Sequence, residues 1–239
     1  MSALERAAKL RWHLDLVGDP ALHAWALALY RAGEHHPETV GDYFPHERVR
    51  PFWPELADQL KRHAGDERRH AALYSRAIER LGEDVPEVGE RDVFNHAIRA
   101  CTPVSWAIDD GDDREQVRHK VAHFLAHAHC LERRVQRSLD AHVEACARTG
   151  RTDVLSVVER VHADEERHVR TTLEALVELT TPAERASIVA VHARAEALAD
   201  RAFSARQTRA FLARLAHRIP RSRRLAYAAS AFWMEHARA

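Results

Sequence analysis

Residues 66–70 read Asp66-Glu67-Arg68-Arg69-His70, and residues 164–168 read Asp164-Glu165-Glu166-Arg167-His168. The second stretch repeats the first 98 positions further on. Upstream of each lies another Glu at a matching distance: Glu34 is 33 residues before Glu67, and Glu132 is 33 before Glu165. Leu27 and Leu125 obey the same translation. Four Glu and two His therefore fall on one internal repeat.

Glu and His at i and i+3 share one helix face, about one turn apart, so both reach the same region. Two such helices, with one inward Glu from each of two others, supply four carboxylates and two imidazoles. Helical bundles use this donor set to hold a di-iron or di-manganese pair. Carboxylate and imidazole donors suit Fe and Mn better than soft cations. The helix faces agree. Leu56, Leu60, Ala64, Ala71 and Tyr74 flank Glu67; Val121, Leu125, Ala128, Val135 and Leu139 flank Glu132; Val154, Val158, Val169, Thr172 and Leu176 flank Glu165. A carboxylate in an apolar stripe is costly unless it is paired or metal-bound.

Composition fits an all-α chain. Among 239 residues there are only 8 Gly and 9 Pro, and no Gly follows Gly150, so material for β turns is scarce. Acidic and basic residues balance at 36 each, which gives no overall steer towards nucleic acid. The longest unbroken apolar run, Ala24 to Tyr30, is far too short to span a bilayer. The first residues show no signal-peptide core. Three Cys (Cys101, Cys130 and Cys146) make no closed disulfide set and no CxxC pair, so a reducing cytoplasm is the expected compartment.

Boundary signals divide the chain. Asp19-Pro20 opens a helix, with Asp as cap and Pro in the first turn. Pro37 interrupts it, so irregularity is expected around Gly33–Pro37. If Glu34 is to sit as far from the connection as Glu67, that helix must run to about residue 44. Pro54 opens a helix over about 54–82, and an irregular crossover with one short helix near 90–100 fills 83–111. Helices follow over about 113–148 and 153–179, the second capped by Thr152-Asp153. Thr181-Pro182-Ala183-Glu184 starts one that reaches about 217, and a last helix fits 221–237. The expected organisation is a bundle over 1–180 and a helical extension over 181–239 packed on it.

The doubled pattern E-x31-D-E-x2-H resembles the signature of the ferritin-like di-metal carboxylate superfamily. It is similar to that of di-iron oxygenases such as p-aminobenzoate N-oxygenase and bacterial multicomponent monooxygenase hydroxylases. The spacing also resembles bacterioferritin and rubrerythrin. The resemblance covers about residues 19–179 and implies a ferritin-like four-helix bundle with a long crossover and extra C-terminal helices. It implies Glu34, Glu67, His70, Glu132, Glu165 and His168 as ligands of two metal ions per chain, Fe first, with Mn or a mixed Mn/Fe pair as alternatives. Asp66 and Asp164 would orient the ligand imidazoles, with Arg69 and Arg167 neutralising them. Read as residues alone, the two Arg are equally well solvent-exposed helix charges.

Other residues stay open. His162, three before Glu165, and His63, four before Glu67, are each either an extra ligand or a packing histidine, with His162 ranked first. Tyr30 and Tyr74 flank the ligands by one turn and read as ordinary core residues, in preference to redox-active groups or hydrogen-bond donors to the ligands. Glu38 is the fallback for Glu34. His35, His36, His127 and His129 read as solvent-facing or as neighbours of the ligands, and Cys130 as a packed thiol. Residues 201–239 hold nine Arg and one Glu. They read as a helix packed on an acidic body, in preference to a surface for RNA, membrane or an acidic partner.

Two functions compete. The first is a cytoplasmic oxidase or oxygenase, a homodimer, that uses O2, an external electron donor and a small organic substrate. The alternative is a ferroxidase, iron-storage or peroxide-scavenging protein. The crossover, the long tail, the absence of a CxxC domain and the Asp and Arg repeated in both motifs favour the enzyme.

Overall fold

The computed structural model describes residues 3–41 and 43–236. Helix α1 (Ala3–Val17) comes first; no cap or Pro marks it in the sequence, and boundary signals alone do not reveal it. The Asp19 carboxylate then accepts hydrogen bonds from the Ala21 and Leu22 amides at 3.0 and 3.2 Å, and α2 spans Pro20–Thr39. It passes through Pro37 but stops short of residue 44, where the equal-depth argument placed its end. Val40 is already extended. A short helix α3 (His46–Val49) precedes α4 (Pro54–Arg80).

The crossover carries a 3-10 turn at Glu90–Asp92 and α5 (Phe94–Cys101), close to the expected short helix. A reciprocal capping box between Asp113 and Gln116 starts α6 (Arg114–Thr149), and Gly150, at φ 70°, ends it in the left-handed region that favours glycine. Helix α7 (Thr152–Leu179) begins at Thr152, the first residue of its expected cap, with Arg151 preceding it and making no capping bond. Thr181 caps α8 (Pro182–Leu215), and α9 (Arg221–His236) follows. The expected end of the last helix at 237 lies outside the described residues. No strand occurs among the described residues.

Side-chain pairs give the helix directions. Arg31 meets Ser75 and Glu34 meets His70, so α2 and α4 are antiparallel. His63 stacks on His168 and Arg69 reaches Asp164, so α4 and α7 are antiparallel. Asp140 meets His162 and the Val169 carbonyl meets His129, so α7 and α6 are antiparallel. The order along the chain is up, down, down, up, and the crossover must travel the length of the molecule between α4 and α6.

The core has two apolar halves. One is built from Leu27, Tyr74, Ile78, Leu139 and Val158, the other from Leu60, Val121, Leu125, Phe124 and Leu176. Each fully buried Leu contributes about 1.5–3 kcal/mol. In sequence, Glu67, His70, Glu132, Glu165 and His168 fall between these halves on their helices, so the apolar layers close a charged centre from both ends. Helix α8 packs on α5 and α6 through Phe94, Ile98, Leu131, Ala199 and Phe203. The Arg-rich segment is paired inward in part: Arg218 bonds Asp19 at 2.7 Å, and Arg223 pairs with Asp15.

Candidate metal centre

Glu34 from α2, Glu67 and His70 from α4, Glu132 from α6, and Glu165 and His168 from α7 converge on one buried site. Donor atoms of Glu34, Glu67, His70 and Glu165 lie within 4.8 Å of one another, as do those of His63, Glu67, Glu132 and His168. Glu67 belongs to both groups. Glu165 also spans them, with Oε1 at 3.1 Å from His70 Nδ1 and Oε2 at 3.1 Å from His168 Nδ1. Glu67 and Glu165 thus occupy the middle, flanked by Glu34 on one side and Glu132 on the other.

The two motifs are crossed. His70 Nε2–H donates to Asp164 of the other motif at 3.1 Å, and His168 Nε2–H donates to Asp66 at 3.2 Å. Arg69 donates to Asp66 and Asp164 at 2.6 and 2.7 Å, and Arg167 donates to Asp164 and Asp66 at 2.6 Å each. The four charges make a closed ring between α4 and α7. This ring fixes both imidazoles with Nδ1 turned to the carboxylates, the orientation a ligand histidine needs. The Arg residues are therefore partners of the Asp pair and not free surface charges.

The electrostatics follow from burial. Burial, and then the neighbouring Glu34, push Glu67 up to about 7. Burial, and then Glu165, push Glu132 up to about 8. Burial raises Glu34 as well. Burial also opposes charge on Glu165, but hydrogen bonds from His168 and His70 outweigh it and hold this carboxyl well below its usual range. For the histidines, burial disfavours the cation, yet Glu165 and Glu34 raise His70 to about 12, and Asp66 and Glu165 raise His168 to about 11. Clustered carboxylates attract positive charge, and the imidazoles answer in part.

Two overlapping groups of four buried donors could each hold a metal ion. Glu67 Oε1 and Glu165 Oε1 are buried and met only by imidazole nitrogens, at 3.3 and 3.1 Å, outside good hydrogen-bond geometry, and poorly paired buried acceptors are costly. Four carboxylates match the charge of two divalent ions. Their oxygens and the two Nδ1 atoms are donors that Fe and Mn accept.

His63 joins this centre, and His162 does not. His63 Nε2 lies 3.1 Å from Glu132 Oε1 and 3.3 Å from Glu67 Oε1, and its ring stacks on His168 at 3.7 Å. His162 instead bonds Asp140 at 2.7 Å, with its side chain 22 % exposed, which corrects the ranking of the two. The signal lay in helix geometry. At about 100° per residue, position i−4 falls between the Glu and the His at i+3, whereas i−3 falls on the other side of the Glu. Glu38, the fallback ligand, pairs with His35 at 2.7 Å and is outside the cluster. Tyr74 is fully buried with its hydroxyl unpaired, and its ring lies 5.6 Å from that of Tyr30.

The repeat is broken where the site opens. Tyr30 and Tyr74 in the first half correspond to Ala128 and Thr172 in the second, and His63 corresponds to Val161. Thr172 lines a cleft of about 540 Å³ that reaches His63 and His168 from the α4–α7 seam, walled also by Leu56, Leu60 and Leu125. Phe44, from the loop before α3, lies against His63 with ring centres 4.7 Å apart. No helix is long and apolar enough to cross a membrane. No family model, curated protein or solved structure matches this chain.

Proposed function

We propose that this chain is a non-haem dinuclear Fe or Mn enzyme on a ferritin-like bundle, an oxidase or oxygenase that uses O2 to oxidise a small organic substrate. The observation that carries the reading is the crossed centre itself: four buried carboxylates and two imidazoles whose outer nitrogens are fixed by an Asp–Arg ring. The up-down-down-up helix order with one long crossover supports the fold assignment.

Bound there, two such ions would supply electrons for reducing O2 and a Lewis-acidic pair. The rest is the protein's part. Glu67 and Glu165 would bridge the ions; Glu34 with His70 and Glu132 with His168 would hold one each, and His63 stands beside the second. Phe44, Leu60 and Leu125 make the side of the centre next to His63 apolar. The cleft gives a small molecule an apolar wall next to His63 and His168. Its rim sets Arg62, Arg69 and Arg167 against Asp66 and Asp164. A net positive mouth disfavours the repeated cation transit that iron storage needs.

Elemental analysis after anaerobic loading with Fe(II) should give close to two Fe per chain. Glu67→Ala and Glu165→Ala should each lose metal. A content of one or less in the unaltered protein would overturn the dinuclear reading. Formation of a hollow, iron-mineralising particle on exposure to O2 would replace the oxygenase with the iron-handling alternative.

A further inference from the structure

At the far end of the first apolar half, α1, α2 and α6 enclose a second group of buried titratable side chains. His23 of α2 and His142 of α6 face each other through their Nε2 atoms, 2.8 Å apart. Cys146 follows His142 by one turn, and its Sγ lies within 4.8 Å of a ring nitrogen of each histidine. All three residues are 0 % exposed. His13 of α1 closes the remaining side, its ring centre 5.3 Å from that of His142. Tyr30 and Tyr74 stand between this group and the carboxylate centre.

The hydrogen bonding here is incomplete. His142 Nδ1 is 3.4 Å from the Tyr30 hydroxyl, which orients the ring with Nε2 inward. His23 Nδ1 is buried without a partner. Two neutral imidazoles can share only one proton between facing nitrogens. Whichever tautomer forms, His23 keeps an unmatched polar atom in the core, at a cost of about 1–3 kcal/mol. Burial lowers both rings, His23 to about 4, so each has a lone pair to offer near neutral pH. Burial pushes the Cys146 thiol up to about 12, so it keeps its proton until a cation displaces it.

We propose that His23, His142 and Cys146 form a separate mononuclear metal site that takes one soft cation, Cu(I). Thiolate with imidazole is a soft donor set, unlike the carboxylates of the main centre. Three donors in a closed site fit a three-coordinate ion, whereas Zn(II) takes four ligands in nearly all structural sites. Charge points the same way. Cu(I) with one thiolate is neutral, which an apolar core tolerates. Zn(II) would leave a net positive charge in a core where all three donor residues are fully buried. On binding, Cu(I) forms bonds to the two Nε2 atoms and to Sγ. The S–H bond breaks, its proton leaves to solvent, and no electron is transferred.

The test is an anaerobic titration of the full-length protein with Cu(I) against a chromogenic Cu(I) chelator. One equivalent per chain should be retained, with a thiolate-to-copper band in the near ultraviolet and one proton released. Cys146→Ala and His23→Gln should lose that equivalent, while Cys130→Ala keeps it. Fe(II) uptake at the carboxylate centre, read in the same samples, should not change, so this proposal and the dinuclear one fail separately. Copper X-ray absorption on the unaltered protein needs no variant to fold and should show one sulfur and two nitrogen neighbours. No retained copper, copper without a sulfur neighbour, retention in Cys146→Ala, or retention of Zn(II) in preference to Cu(I) would each overturn the proposal.

Discussion

Replacing Asp164 by Asn should weaken the metal held with His70 and spare the one held with His168, although Asp164 belongs to the motif that contains His168. Asp164 Oδ2 accepts from His70 Nε2 at 3.1 Å and from Arg69 at 2.7 Å, and Oδ1 accepts from Arg167 at 2.6 Å. Asn keeps the shape and one acceptor but removes the charge that makes the His70 ring a better donor to metal. Loss of such an outer partner lowers metal affinity by about 10- to 100-fold, which is about 1.4–2.8 kcal/mol. The fold should survive. Arg69 and Arg167 are 45 % and 43 % exposed, and ion pairs in that setting contribute at most about 1 kcal/mol. Anaerobic Fe(II) calorimetry reads the effect, and a double-mutant cycle assigns it. In a His70→Gln background Asp164→Asn should add little; in a His168→Gln background it should act in full. Coupling to His168 in place of His70, or unchanged affinity at both positions, refutes the crossed arrangement.

His63→Ala should lower affinity for the second metal and slow O2 consumption by the Fe(II)-loaded protein, whereas His162→Ala, on a half-exposed ion pair, should leave both within error. Equal effects from the two would deny His63 its place. A pH dependence comes from His127 and His192, which pack with Trp106 on another face of α6. Burial lowers them from 6.5 to about 3 and about 4. The unfolded chain therefore binds more protons below about pH 6.5, so stability is full above that pH and falls as pH drops towards 4. At about pH 5 each histidine removes about 2 kcal/mol. Urea melts at pH 7.5 and 5 should show a smaller loss in the His127→Gln, His192→Gln double variant; an identical loss in both proteins would exclude these residues as the cause.

What the sequence determined by itself is local or periodic. Asp19-Pro20, Gly150 and Thr181 mark helix ends through bonds made within a turn of chain, and the helices begin or end at or beside them. The six Glu and His positions were legible because a repeat of 98 residues, together with i, i+3 spacing, states which side chains share a face. Helix α1 escaped because it has no such marker, and its place is set by packing against α2 and α6. Spacing could not say which Asp serves which His. The two motifs run antiparallel across the α4–α7 seam, so each Asp lies beside the other motif's imidazole. Nor could it show that the cleft opens beside Thr172, which stands where the first half of the repeat has Tyr74. It could not bring His23 to His142 and Cys146, which are more than a hundred residues away along the chain. Periodicity fixes the direction of a side chain on its own helix, but the groups it meets depend on how helices distant in sequence are set against one another.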